Sequence, residues 1–214
     1  MYVDLPHQYK GTHMSRFVEM LHVFKSGFSL RLSTFSTILE NMKKSLDAES
    51  SHIEISFPYF VEKKAPVSMS LGLMDYTCTI SSSSNSDGVV DLVLNLEIPI
   101  TSVCPCSREI SDNGAHNQRG IVSLSVRGRK FVWIEDMIDM VEDAASCEVY
   151  SVLKRVDEKY VTEKGYNNPK FVEDIVRDVA KKLREDDNII WFSVSAENFE
   201  SIHNHSAYAY IESK

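Results

Sequence analysis

Between positions 90 and 98 the chain is apolar at every second residue, with Val90, Leu92, Leu94, Leu96 and Ile98 separated by polar Asp91, Asn95 and Glu97. Period two sends alternate side chains to opposite faces of a β-strand, so this stretch has to lie in a sheet with one face buried. A sheet needs further strands. Ile53, Ile55, Phe57 and Tyr59 alternate with polar neighbours in the same way, and residues 73–80, 121–126, 189–194 and 207–211 read as strands too. Residues 1–6 read as a short strand, and residues 81–87 as a serine-rich, mobile turn.

Helical spacing fills the gaps between the strands. Phe17, Met20, Leu21 and Phe24 mark a first helix, with Thr12 as its cap and Gly27 at its end. Leu32, Phe35, Ile38, Leu39, Met42 and Leu46 mark a second. In the second half, Ile134, Met137, Ile138 and Val141 give a short helix, and Val149, Val152, Leu153, Val156 and Tyr160 a longer one. A further helix opens at Asn168 and Pro169, with Phe171, Val172, Ile175, Val176, Val179 and Leu183 on its apolar face. Antiparallel-looking strand runs with paired helices between them, twice over, predict an α+β fold with two related halves in one compact body.

The 214 residues carry a formal charge of -8 and no basic tract, which argues against a nucleic-acid partner. Four cysteines make no disulfide framework, so a reduced, cytoplasmic compartment is expected. The first residues lack the basic start and apolar run of a signal peptide, and no stretch is long and apolar enough for a membrane span.

Directly after the 90–98 strand comes a polar connection, residues 101–119, holding Cys104, Pro105, Cys106, Gly114, His116 and Arg119. Polar loops held by rigid elements are where chemistry concentrates. With Glu158, Glu173, Glu200, His203 and His205 it offers metal donors, but no Cys-x-x-Cys or His-Glu-x-x-His spacing, so a structural zinc site is poorly supported. A catalytic site takes about three protein ligands from separated elements, and a Cys, His and Glu set suits zinc, iron or manganese. Each residue also has a plainer role. Cys104 reads equally as a small buried hydrophobe, and Pro105 keeps it extended, so that Cys104 and Cys106 face the same way. His116 reads as a turn residue, and His203 and His205 as exposed histidines before a strand. Glu158 lies opposite its helix's apolar stripe, on a solvated face, and Glu173 complements a helix dipole. Lys10, His13 and Arg16 suit a phosphate near a helix start, or an ordinary charged turn. Residue types and spacing go no further than a metal-dependent enzyme.

Five segments together resemble the prokaryotic type IB family of GTP cyclohydrolase I. They are residues 3–6 with 10–19, including Lys10, Gly11, Thr12, His13 and Arg16; residues 62–68; residues 101–119; residues 157–163 with 168–174, including Glu158 and Glu173; and residues 200–205. The resemblance implies a tunnelling fold of two fused modules, residues 1–100 and 101–214, each an antiparallel sheet backed by helix pairs. It implies assembly into a homo-oligomer, a homotetramer, with active sites at subunit interfaces, and a metal-dependent conversion of GTP and water to 7,8-dihydroneopterin triphosphate and formate, the first step of tetrahydrofolate biosynthesis. By position, Cys104 is then catalytic and metal-binding. His116 and His203 serve as metal ligands or proton shuttles, and Glu158 as a metal carboxylate. Glu173 anchors the purine, and Lys10, His13, Arg16 and Arg119 are assigned to the triphosphate. Neither nucleic acid nor membrane is implied as a partner. Two departures accompany the match: a leading segment of the family is expected to be absent, and Gly120 stands where the family has serine. Two other readings share the fold: a non-catalytic oligomeric purine- or pterin-binding protein, and a deazapurine-acting enzyme with a cysteine nucleophile and no metal.

Overall fold

The computed structural model describes residues 1–5, 7, 11, 13–23 and 32–213. In chain order the elements are β1 (Tyr2–Val3), α1 (Ser15–Val23), α2 (Leu32–Leu46), β2 (Ser51–Lys64), β3 (Leu71–Ser84), β4 (Val90–Val103), α3 (Pro105–Ile110), β5 (Asn117–Gly128), α4 (Ile134–Ala144), β6 (Cys147–Glu148), α5 (Arg155–Asn167), α6 (Val172–Glu185), β7 (Ile189–Phe199) and β8 (Ser206–Glu212). The strands form one eight-stranded sheet in the order β1-β2-β3-β4-β5-β7-β8, with β6 paired to β4. The pairings β1–β2, β4–β6, β5–β7 and β7–β8 are antiparallel. The expected α+β architecture is therefore present. Thr12, Phe24 and Gly27, assigned to the first helix and its ends, lie outside the described residues.

Packing divides the chain into two units, residues 1–56 with 79–94, and residues 57–78 with 95–214. In the first, α2 buries Phe35, Ile38, Leu39 and Met42 as its spacing predicts. The edge is tied by polar groups: Ser51 Oγ donates to Leu39 O (2.9 Å), and Asp4 Oδ1 accepts from the Ser50 N–H (2.6 Å). The serine run departs from expectation. Ser81 to Ser84 continue β3, and Ser82 and Ser84 are buried because each hydroxyl finds an acceptor, Asp91 O (2.7 Å) and Glu40 Oε1 (3.3 Å).

In the second unit α6 buries Val172, Ile175, Val176, Val179, Ala180 and Leu183, and α4 buries Ile134, Met137, Ile138 and Val141. Alternate residues of the strands are buried as well, among them Leu96, Ile98, Val122, Leu124 and Val194. Each such side chain contributes roughly 1.5–3 kcal/mol by leaving water.

Helix α5 departs from its apolar pattern. It starts at Arg155, so Val149, Val152 and Leu153 precede it, and it leaves Val156 53 % and Tyr160 43 % exposed. Its buried residues are Asp157 and Gly165. Asp157 Oδ1 accepts from the N–H groups of Val67 and Ser68 (both 2.8 Å), while Oδ2 accepts from Ser68 Oγ (2.6 Å) and the Lys154 N–H (2.8 Å). Burial alone would raise this carboxyl's pKa, but those donors outweigh it and hold it well below the usual carboxylate range.

Asn168 and Pro169 do not open α6. Asn168 closes α5, and its Nδ2 donates to Ala145 O (2.9 Å) and Ser146 O (3.3 Å). Helix α6 is entered instead at Phe171, whose N–H donates to Asp174 Oδ2 (3.1 Å) and whose ring is exposed rather than on the apolar face. Among the described residues no helix is long and apolar enough to cross a membrane.

Candidate active site

The centre of the site is the corner where β4 ends. Cys104 is extended (φ -69°, ψ 118°), as the following proline requires, and caps the start of α3. Its Sγ accepts from the Ser107 N–H at 3.5 Å. The Cys104 N–H donates to His116 O (3.1 Å), Ser107 Oγ donates to Cys104 O (3.1 Å), and the His116 N–H donates to Ser107 Oγ (3.2 Å). Three main-chain and hydroxyl bonds thus bring Cys104 and His116 together across an eleven-residue excursion that turns at Gly114, where φ is +81° and only glycine is unstrained. Because residues 105–110 are helical, the expected same-facing arrangement of the two cysteines fails: Cys106 is exposed while Cys104 is half-buried. The other two cysteines are core residues, burial pushing the Cys78 thiol up to about 11 and Cys147 to about 12.

His116 heads a buried polar row. Its Nδ1 lies 3.1 Å from Gln118 Oε1 and 3.9 Å from Glu200 Oε2. Gln118 Nε2 donates to Ser102 Oγ (3.0 Å) and Glu200 Oε1 (3.5 Å). Gln118 shares the buried register of β5 with Val122 and Leu124, so a polar residue at a buried position was the signal available in the sequence, and reading the segment as a loop hid it. Next along that row, Gly120 pairs with Asn198. A Cβ at Gly120 would lie 2.4 Å from Asn198 Oδ1, a buried oxygen without a hydrogen-bond partner among the described residues, so the close approach accounts for glycine there.

The remaining predicted residues lie on separate elements. Glu158 and Glu173 are exposed in the first turns of α5 and α6. The Lys170 N–H donates to Val103 O (3.0 Å), which joins the chain just before Glu173 to the residue just before Cys104. His203 is exposed in the bend between β7 and β8, its ring stacked on His205 at 5.0 Å. Arg119 is exposed on β5. His13 and Arg16 are exposed at the start of α1, with Arg16 Nη1 donating to Ser45 O (2.5 Å), and Lys10 lies outside the described residues. Among the described residues no three His, Cys, Asp or Glu side chains are placed to hold one metal ion. The donor chemistry of Cys104 and His116 fits a divalent ion, but among the described residues fewer donors come together than a catalytic site requires.

Solved structures that share this architecture include uricases of the tunnelling fold. The uricase of Arthrobacter globiformis aligns with TM-score 0.50 and 10% identity over 92% of this chain and 73% of that one. A hyperthermostable mutant of Bacillus sp. TB-90 urate oxidase aligns with TM-score 0.51 and 10% identity over 94% and 76%. At that identity the likeness concerns the fold, which is the tunnelling fold. Sequence resolves the class further. The family model for type I GTP cyclohydrolase folE2 matches residues 1–209. GTP cyclohydrolase FolE2 of Desulfosudis oleivorans is 68% identical over 211 residues, 99% of this chain and 80% of that protein, and that of Syntrophus aciditrophicus is 60% identical over 212 residues, 99% and 82%. The chain belongs to the type I GTP cyclohydrolase FolE2 family.

Proposed function

We propose that this chain is a metal-dependent GTP cyclohydrolase I of the type IB kind, acting in the cytoplasm to convert GTP and water to 7,8-dihydroneopterin triphosphate and formate at the head of tetrahydrofolate biosynthesis. The observation that carries the reading is the family match over residues 1–209. The close pairing of Cys104 with His116 supports it. Zinc, manganese or iron would be held by Cys104 and His116, with Glu158 and His203 as the further donors. When bound, such an ion supplies Lewis acidity that makes water nucleophilic at neutral pH. His116 and His203 carry the proton transfers that ring opening and formate release demand. Glu173, exposed at a helix start, accepts the guanine N1–H and 2-amino hydrogens side by side. Lys10, His13, Arg16 and Arg119 meet the triphosphate.

Fewer than three donors come together among the described residues, and in this reading the site is completed by assembly as a homotetramer, with residues 1–100 and 101–214 as the two repeated modules. The test is formate release from GTP after chelation and after anaerobic return of each metal. Activity lost on chelation and restored by one or more ions is expected. Full turnover by metal-free protein would overturn the metal, and no turnover with any ion would leave a purine-binding protein of the same fold.

A further inference from the structure

We propose that Gln118 is a positioning residue, fixing His116 in the tautomer that carries its proton on Nδ1 and leaves the lone pair on Nε2. The inference rests on the reading that His116 acts through its ring. A glutamine amide has one acceptor oxygen and two N–H donors, and only its surroundings tell the two ends apart. Here they do. The end assigned as Nε2 faces Ser102 Oγ at 3.0 Å and a carboxylate oxygen of Glu200 at 3.5 Å. A carboxylate only accepts, so the NH2 must point at it; the reverse orientation would set carbonyl against carboxylate. The carbonyl Oε1 is then the atom 3.1 Å from His116 Nδ1. Since a carbonyl also only accepts, Nδ1 must be the donor, and in a neutral imidazole Nε2 is left with the lone pair.

The arrangement is anchored. Ser102 is 0% and Gln118 5% exposed, so water does not compete for these groups, and the two sit at buried positions of neighbouring strands β4 and β5. Glu200, just past the end of β7, closes the row, and its second oxygen at 3.9 Å from Nδ1 adds field without a hydrogen bond of its own. A histidine that ligates or moves protons works through one ring nitrogen, and the bond made by the other decides which. Gln118 supplies that bond, with Ser102 and Glu200 holding Gln118.

The experiment is proton-nitrogen correlation NMR of 15N-histidine-labelled, metal-free protein, about two pH units above the ordinary imidazole value so that the rings are neutral. The His116 signals are assigned by their loss in His116→Asn. Wild type should show a protonated Nδ1 and a bare Nε2. Gln118→Met, which keeps the length and removes acceptor and donors together, should give mixed tautomers and lower kcat by about 10–100-fold with KM for GTP little changed. The exchanged pair Gln118→Glu with Glu200→Gln reverses donor and acceptor roles between the two and should restore the Nδ1-protonated form. That recovery separates positioning from simple damage to the fold. A proton on Nε2 in wild type, an unaltered tautomer and kcat in Gln118→Met, or no recovery of the tautomer in the exchanged pair would each overturn the assignment. If wild type shows the tautomer, and its loss and recovery in the variants, but never turns over GTP, the proposed reaction fails while the positioning role stands.

Discussion

Helices α5 and α6 follow one another in the chain, each carries a candidate site carboxylate in its first turn, and they are held in place by opposite means. Helix α6 turns a continuous apolar face inward, with Ile175, Val176 and Val179 fully buried. Helix α5 leaves Val156 and Tyr160 exposed and is anchored through Asp157, whose two oxygens take four hydrogen bonds from Val67, Ser68 and Lys154. A helix seated on a hydrophobic face is positioned by shape over several turns. Helix α5 is instead held at separate polar points: Asp157 beside Glu158 at its start, Lys164 Nζ donating to Glu148 (2.6 Å to each carboxylate oxygen), and Asn168 Nδ2 at its end. The exposed Val156 and Tyr160 of α5 are residues that the proposed assembly would cover.

Substitutions separate the two modes of anchoring. Glu173→Ala removes a group without a hydrogen bond or ion pair among the described residues, so stability should stay as it is while kcat/KM for GTP falls by about 10²–10⁴, the equivalent of losing two charge-assisted hydrogen bonds; steady-state kinetics beside a melting curve reads both. Ile175→Ala should do the reverse, costing about 2–5 kcal/mol in urea denaturation through the cavity it leaves under α6.

Asp157→Asn should lower stability at neutral pH, and the sign of its pH dependence follows from the hydrogen bonds. The folded pKa lies below the ordinary value, so the carboxylate's contribution is present above roughly pH 4 and lost as pH falls through the folded pKa. The gap in melting temperature between wild type and variant should therefore close in acid; a gap independent of pH would mean that shape, not charge, anchors α5. Glu142, buried against Lys63 and Tyr76, behaves oppositely: burial raises its pKa, so its contribution is full in acid and declines as pH rises. The smallest effect is expected for Val156→Ala, within about 0.5 kcal/mol for a dissociated chain. A larger loss that depends on protein concentration would show that the exposed face of α5 is covered by a second copy.

The same contrast explains how far the sequence could be read. Where burial is apolar and periodic, as in α2, α6 and β4, spacing located the element and its inner face. Where a polar residue occupies the buried position it misled. The stripe from Val149 to Tyr160 suggested a helix seated on those residues, because nothing local marks Asp157 as the buried one; its partners Val67 and Ser68 are far away in sequence. Asn168 looked like a cap for α6 because its true acceptors, Ala145 O and Ser146 O, become visible only once the chain is folded. Cys104 and His116 were picked out as candidates by their motif, whereas Gln118, which faces Ser102 and Glu200 from adjoining strands, carries no local mark.

The bond from the Cys104 N–H to His116 O has a consequence for protein engineering. It closes the stretch between those residues at its base, and residues 109–114 are all exposed. Closing a flexible loop of twice the length costs only about 0.6 kcal/mol more. A short peptide tag grafted after Asp112 would therefore ride outside the base of the loop, reporting on the Cys104–His116 corner without being part of it.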